Sequence, residues 1–263
     1  MNYNNLYKKN FKRKFGQVFL KDVNVIKDII NLICPKTNQT IVEIGPGTGA
    51  ITKKLVNLVK YLFLIEIDID LATKLTNKLS HNNINIICQN VINTNFFILS
   101  RQTNQKLRLF GNLPYNNCIS IIFHILKYVS VIHDMHFMLQ KELADRIIAT
   151  PHSKEYGKLS IIMQYYYNII PLITVSPTSF YPIPKVYSTV IKFIPRTYKV
   201  NINLDKLILI LNLAFNQRRK KIRNSLKKLF SAKDLVKYNI NPSLRADEIT
   251  IDQYYYLTNK INI

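Results

Sequence analysis

The sequence predicts an α/β fold: a largely parallel sheet with helices on both faces, followed by a small α-helical domain at the C-terminal end. Two observations carry this reading. From Thr40 onward, short apolar runs alternate with helix-length stretches, the order expected when each parallel strand returns through a crossover helix. After Pro195 the alternation stops, and apolar residues recur only at helical spacing. A chain of 263 residues suits one large domain with a small appendage, and its 48% hydrophobic content is ample for a packed core.

The elements follow in order. A basic arm (Lys8, Lys9, Lys12, Arg13, Lys14) leads into Phe15-Gly16-Gln17-Val18-Phe19-Leu20, and a helix is expected from Asp22, a good N-cap residue. Candidate strands are Thr40–Ile44, Leu62–Ile67, Ile84–Cys88, Leu107–Gly111 and Met135–Leu139, with helical stretches such as Asp70–Ser80 and Cys118–Tyr128 between them. Val186–Ile194 is β-branched without helical period and reads as a late strand. The stretch from Pro195 to Asn203 reads as a linker, which divides the chain into domains 1–198 and 199–263. In the second domain Leu204, Leu207, Ile208, Leu211, Ala214 and Phe215 mark one helix, and Ile222, Leu226, Leu229 and Phe230 mark a second helical segment.

The formal net charge of +22 points to a polyanionic partner, nucleic acid before an anionic membrane surface. Asn, Ile, Lys and Tyr are abundant throughout, as A-and-T-rich codon usage would produce, so charge supports nucleic-acid binding without establishing it. Cys34, Cys88 and Cys118 are isolated, which fits a reducing compartment and argues against structural zinc; no metal site is expected. The N-terminal segment lacks the apolar core of a signal peptide, and the apolar stretches are too short or too interrupted to cross a bilayer. A cytoplasmic protein is expected.

Two motifs carry chemistry. Val42-Glu43-Ile44-Gly45-Pro46-Gly47-Thr48-Gly49-Ala50 ends the first candidate strand of the sheet, and its glycines allow a tight turn and close approach of a ligand. Glu66 ends the next strand, where a carboxylate can accept from both ribose hydroxyls. Gly45, Gly47 and Ala50 also satisfy a dinucleotide fingerprint, so an NAD-dependent dehydrogenase competes, as does a plain strand-to-helix turn. Glu43 favours S-adenosylmethionine: a carboxylate there would oppose a pyrophosphate but suits an ammonium group. No dehydrogenase acid/base pair is evident either. The second motif, Asn112-Leu113-Pro114-Tyr115, follows the strand Leu107–Gly111. It sets an amide, a rigid turn with outward carbonyls and an aromatic face at one strand end, suited to a flat base bearing an amino group. An ordinary Asn/Pro loop is the bland alternative.

With these residues, the chain closely resembles the small-subunit ribosomal RNA adenine dimethyltransferases, the KsgA family, over nearly its whole length. Phe15-Gly16-Gln17 with Phe19-Leu20, Glu43–Gly47, Glu66 with Asp68, Gly111–Asn116, Asp134–Glu142, Pro184-Lys185-Val186 with Ser188, and Ala214–Lys220 match its motifs in order and spacing. The resemblance implies a Rossmann-like, seven-stranded class I methyltransferase sheet with a small helical C-terminal domain. The activity implied is transfer of methyl groups from S-adenosylmethionine to N6 of two adjacent adenosines in the 3′-terminal hairpin loop of small-subunit rRNA, within an immature ribosomal subunit. It implies a monomer with no membrane attachment.

Carried onto this chain, the resemblance sets Gln17 and Leu20 at the border of the cofactor, Gly45 and Gly47 against its methionine part, and Glu66 on its ribose. Asn112 and the Leu113 backbone would orient the target amino group, with Tyr115 stacking on the base beside Pro114 and Phe180 forming a second aromatic wall. Two positions depart from the family. Asn90 stands where Asp is usual at the end of the third strand, exchanging a charge-assisted acceptor for the adenine amino group for a neutral one, weaker by roughly 1 kcal/mol. Val18 stands where Asn is preferred, leaving only backbone contacts. Arg218-Arg219-Lys220-Lys221-Ile222-Arg223, with Lys227 and Lys228, has no interleaved acids and reads as an rRNA-binding basic face; a solvated surface is the alternative. Two further functions compete: methylation of large-subunit rRNA, and an assembly factor that keeps the fold without strong catalysis.

Overall fold

The computed structural model describes residues 17–196 and 202–261; the basic arm, with Phe15 and Gly16, lies outside them. Its strands are β1 (Phe19–Leu20), β2 (Thr40–Ile44), β3 (Tyr61–Glu66), β4 (Ile84–Cys88), β5 (Leu107–Asn112), β6 (Ile132–Gln140), β7 (Tyr167–Val175), β8 (Phe180–Tyr181) and β9 (Ser188–Pro195). Seven of them form one sheet in the order β4-β3-β2-β5-β6-β9-β7, and β1 with β8 forms a separate two-stranded ribbon. The pairs β2–β3, β3–β4, β2–β5 and β5–β6 are parallel, whereas β6–β9 is antiparallel. The seven-stranded expectation holds.

The physical cause is legible along β2 and β5. Every residue of Thr40–Ile44 is buried, as are Leu107 through Gly111, because a parallel strand covered on both faces needs apolar side chains on both. Between β2 and β5 the strand order reverses, since β3 and β4 lie on one side of β2 and β5 on the other. Such a reversal opens a crevice beyond the strands' carboxyl ends.

Two helix starts are fixed by short side chains. Asp22 caps the helix Val23–Ile33, its Oδ1 accepting from the backbone N–H groups of Asn24 and Val25 at 3.0 and 3.3 Å. Ile26, Ile29 and Ile33 bury one face of that helix. Asp68 caps the helix Ile69–Lys78, accepting from Asp70 N at 3.0 Å.

At the opposite end of the sheet from the crevice, Arg108 and Asp134 face each other on β5 and β6. The guanidinium donates to both carboxylate oxygens at 2.8 and 2.9 Å. It also donates to the Ile33 and Cys34 carbonyls at 2.6 and 3.2 Å, which closes the C-terminal end of the helix Val23–Ile33. Burial pushes the Asp134 carboxyl up, but the hydrogen bonds and charge of Arg108 outweigh it and hold it below the usual carboxylate range. Burial pushes His136 down to about 4, so the ring beside Asp134 is neutral at physiological pH.

The chain divides into two compact units, Met1–Ala144 with Ile169–Pro195, and Asp145–Asn168 with Arg196–Ile263. The sequence boundary at 198 falls close to the break at Pro195. The helix Lys158–Tyr166, placed by that boundary in the first domain, packs instead with the C-terminal helices. Tyr156 explains part of this: its hydroxyl donates to the Ile249 carbonyl at 3.1 Å. In this unit Leu204–Asn216 is the expected helix, with Leu207, Ile210, Leu211 and Ala214 buried. The second helical segment is shorter than its apolar spacing suggests. Only Ile222–Ser225 is helical, while Ile222, Leu226 and Phe230 are buried as that spacing implies.

Asp134→Asn leaves the Arg108 charge buried without its counter-ion, and should lower stability by about 3 kcal/mol or more. Because the carboxyl lies below its unfolded value, this contribution is present above the unfolded pKa and fades as acid takes pH through the lower folded one. Urea denaturation at neutral pH checks it; a midpoint unchanged in the variant refutes the assignment.

Candidate active site

Beyond the carboxyl ends of β2, β3 and β5 lies a solvent-open cleft. Its walls come from Gln17–Leu20, from the loop after β2 (Gly45, Pro46, Gly47, Thr48), from Glu43, Glu66 and Ile67, and from Asn112–Tyr115 with Met138. The two motifs singled out in the sequence therefore share one cavity. The reason is register: Ile44 at the end of β2 pairs with Gly111 near the end of β5.

The loop after β2 needs glycine at Gly47. Its φ is +57°, and a Cβ there would lie 3.0 Å from the Phe19 ring. Glu66 holds this loop from the side: Oε2 accepts from Gly47 N and Oε1 from Asp68 N, each at 3.0 Å. Burial pushes the Glu66 carboxyl up, partly offset by those backbone donors. Glu43 is almost fully buried, with its Oε2 accepting from the Thr52 hydroxyl at 2.7 Å. Burial pushes its carboxyl up to about 7; the Thr52 bond opposes this and the neighbouring Glu66 charge reinforces it. A carboxyl poised near neutrality and facing a cleft is a ready partner for a cationic group.

At the other wall, Asn112 Nδ2 donates to the Val18 carbonyl at 2.8 Å. Leu113 N donates to the Met138 carbonyl at 3.2 Å, and Asn117 N to the Pro114 carbonyl at 3.1 Å, which closes the turn. Tyr115 is half-buried, its hydroxyl hydrogen-bonded to Ser188 Oγ at 3.0 Å, so the ring is held from β9.

Among the sequence candidates, Gln17, Leu20, Glu43, Gly45, Gly47, Glu66 and Asn112 through Tyr115 all line the cleft. Phe180 does not. It is fully buried, pairs through its backbone with Leu20 and packs with Leu20, Ile26 and Val175, because an unsubstituted ring gains more from that apolar core than from a half-open wall. Asn90 is also outside the lining; its side-chain oxygen accepts from Ile92 N at 3.2 Å and caps the short 3₁₀ turn Val91–Asn93. Sequence reasoning gives no roles to Thr52, to Ser188, or to Asp68, whose Oδ2 accepts from Gln17 Nε2 at 3.3 Å. Ser188 and Asp68 stand within matched motifs, but nothing in their spacing names their partners.

In the second unit the basic run is a turn followed by the short helix Ile222–Ser225, not one continuous helical face. Arg219, Lys220, Lys221 and Arg223 are exposed. Arg218 differs: its guanidinium pairs with Asp247 Oδ2 at 3.2 Å and donates to the Ser153 carbonyl at 3.2 Å. Pro242–Asp247 precedes the last helix and supplies this counter-ion, while Thr250 caps the helix Ile251–Thr258. Among the described residues no cluster of His, Cys, Asp and Glu could hold a metal ion, and no helix is long and apolar enough to cross a membrane.

Comparison with known proteins finds relatives along nearly the whole chain. Residues 8–262 match the family described as ribosomal RNA adenine dimethylase. The chain is 49% identical to ribosomal RNA small subunit methyltransferase A of Blochmanniella pennsylvanica (strain BPEN), over 98% of each chain. It is 46% identical to the protein of that name from Buchnera aphidicola subsp. Acyrthosiphon pisum (strain APS), over 95% of this chain and 94% of the relative. A dimethyladenosine transferase from Plasmodium falciparum shares the fold with a TM-score of 0.80 at 24% identity, covering 91% of this chain and 95% of that one. The 23S rRNA methyltransferase ErmE shares it at 0.72 and 21%, covering 93% and 100%. With one cleft joining the glycine loop to the Asn112–Tyr115 turn, and with relatives matched end to end, the chain belongs to the ribosomal RNA adenine dimethylase family.

Proposed function

We propose that the protein transfers methyl groups from S-adenosylmethionine to N6 of two adjacent adenosines in the 3′-terminal hairpin loop of small-subunit rRNA, as a cytoplasmic monomer acting on the immature subunit late in assembly. The observation that carries this reading is the single cleft shared by the glycine loop and the Asn112–Tyr115 turn. The first unit does the chemistry; the exposed Arg219, Lys220, Lys221 and Arg223 of the second unit contact rRNA phosphates.

The residues present fit the cofactor. Glu43 offers a buried, cation-seeking carboxyl, Gly47 leaves open the space that a side chain would fill, and Glu66 keeps lone pairs for ribose hydroxyls beside its two backbone bonds. When bound, S-adenosylmethionine supplies the activated methyl group. Asn112 Oδ1 and the Leu113 carbonyl accept from the two N–H groups of the adenine amine, which favours a pyramidal nitrogen with an available lone pair. Tyr115 stacks on the ring. Orientation and acceptors fixed in advance supply the rate enhancement, with no strong general base. A loop adenosine unstacks to reach the cleft at a cost of a few kcal/mol, least in a single-stranded segment.

The reading is tested by mapping dimethyladenosine in small-subunit rRNA from cells lacking the protein, with and without its restoration. Loss and recovery of the two modified adenosines is expected; an unchanged map would reject it.

Glu43 makes cofactor binding proton-linked. A cationic ammonium drawn against a carboxyl of pKa about 7 lowers that pKa, so binding near pH 7 releases a fraction of a proton. Calorimetric enthalpies in buffers of different ionisation heat should therefore differ, and Glu43→Gln should abolish the difference. Equal enthalpies for the wild-type protein would place the ammonium elsewhere. Gly47→Val should weaken the cofactor by an order of magnitude or more, through both the positive φ and the Phe19 ring; a folded variant with unaltered affinity would remove the loop from the site.

Replacing Arg219, Lys220, Lys221 and Arg223 with Gln should weaken subunit binding and flatten its salt dependence by roughly one unit of slope for each phosphate left without a cation. Arg218 is left in place because it serves Asp247. A salt titration run beside a cofactor titration reads both effects: the first falls and the second holds. An unaltered slope would make this surface a solvated one.

A further inference from the structure

An amide side chain presents an oxygen and a nitrogen in nearly the same shape, and only its partners decide which one faces a substrate. At Asn112 the partner is the Val18 main-chain carbonyl, 2.8 Å from Nδ2. A carbonyl accepts and cannot donate, so the nitrogen is held toward Val18. Among the described residues no group donates to Asn112 Oδ1 or to the Leu113 carbonyl. Two acceptors thus remain at the turn, matching the two N–H groups of an adenine amine. With the amide reversed, an N–H would confront the amine and the Val18 carbonyl would confront Oδ1.

The segment that carries Val18 also grips the cofactor side of the cleft. Gln17 Nε2 donates to Asp68 Oδ2, and Asp68 N donates to Glu66 Oε1. The Phe19 ring packs with Leu71 and Tyr181 and lies against Gly47. Backbone pairing of Phe19 with Tyr181 and Leu20 with Phe180, and the bond from Lys21 N to the Ser179 carbonyl at 2.9 Å, fix the segment in place.

Resting on the function proposed above, we infer that the Val18 carbonyl is a positioning group for methyl transfer, which turns the Asn112 amide so that its oxygen meets the entering amine, and that Gln17–Leu20 links the glycine loop to this orientation. The Val18 side chain has no part in it. The link runs through the main chain, which is why an apolar residue serves at this position.

The test is Asn112→Asp beside Asn112→Ala, in single-turnover methylation of immature small subunits with both substrates saturating. The ionised carboxylate of Asn112→Asp has no donor for Val18 and repels its carbonyl, so transfer should fall on the order of a hundredfold at pH 8. A protonated carboxyl can donate to Val18 and still accept through its other oxygen, so the ratio of variant to wild-type rate should climb steadily as pH falls from about 8 to about 5.5. The cleft's own titratable groups, Glu43, Glu66 and Tyr115, are present in both proteins and cancel in that ratio, as does Asp68 beside Gln17. Thermal melts of each variant separate misfolding from misorientation. Should Asn112→Asp not fold, Phe19→Ala replaces it: loosening the segment should lower the saturated rate at least tenfold, not merely the cofactor affinity. A dead Asn112→Ala with a fully active Asn112→Asp of flat pH ratio, or a Phe19→Ala with wild-type saturated rate, overturns the role of Val18 and leaves the site intact. A fully active Asn112→Ala instead overturns the site itself.

Discussion

Everything at the cleft depends on how closely β5 can approach β2. Gly111 pairs with Ile44, and a Cβ at Gly111 would lie 2.8 Å from the Ile44 carbonyl and 3.0 Å from the Leu113 side chain. A backbone carbonyl and a side chain that is itself buried have no room to give. Glycine at this position therefore lets two parallel strands end side by side, and their ends carry the glycine loop and the Asn112 turn. The strand order reverses at the same place, so the crevice created by topology and the one created by sequence coincide.

Around that juncture the polar groups form one connected system. Glu66 is at its centre, since its two oxygens fasten the glycine loop and the start of the helix Ile69–Lys78, and its charge reaches Glu43. Burial is the main cause that raises the Glu43 carboxyl to about 7, and the Glu66 charge adds to it, while the single bond from Thr52 opposes it. An ionised Glu43 beside the Glu66 charge is costly in this buried place, and a cationic group at the cleft relieves that cost. The electrostatics of the protein thus already favour a ligand with a positive end. A pyrophosphate would meet the opposite, which weighs against the dinucleotide alternative.

The parts of the fold that can be read from the chain are those where burial writes directly into composition. β2, β4 and β5 fall within one residue of their expected bounds because two-sided burial or a covered face leaves short apolar runs. β7 is not legible in the same way: its residues alternate irregularly between partial burial and exposure, and it contains Pro171, which reads as a breaker and is tolerated at the edge of a sheet. The β1–β8 ribbon has two residues per strand and is defined only by pairing between distant stretches of chain. The site divides in the same way. Glycines, carboxylates and the Asn-Leu-Pro-Tyr turn are recognisable because their chemistry is local. Phe180 and Arg218 have surroundings that the sequence does not reveal, because an aromatic ring or a guanidinium carries no mark of what it packs against or pairs with. Asp247, the partner of Arg218, lies far along the chain.

The Asn90 and Val18 departures lose much of their force once the partners are seen. Asn90 spends its side-chain oxygen on capping a turn, a service for which Asn and Asp are equally suited, so the amide is accommodated locally whatever else it meets. Val18 contributes a carbonyl that every residue possesses. Both positions fall where the backbone, or a cap that Asn and Asp serve alike, carries the structural role. By contrast, at Glu43, Glu66, Gly47 and Gly111 the side chain, or its lack, is what the geometry uses. The cleft is thus held by main-chain contacts to Val18, Gly47 and Asp68 together with the side-chain bonds of Gln17, Thr52 and Tyr115.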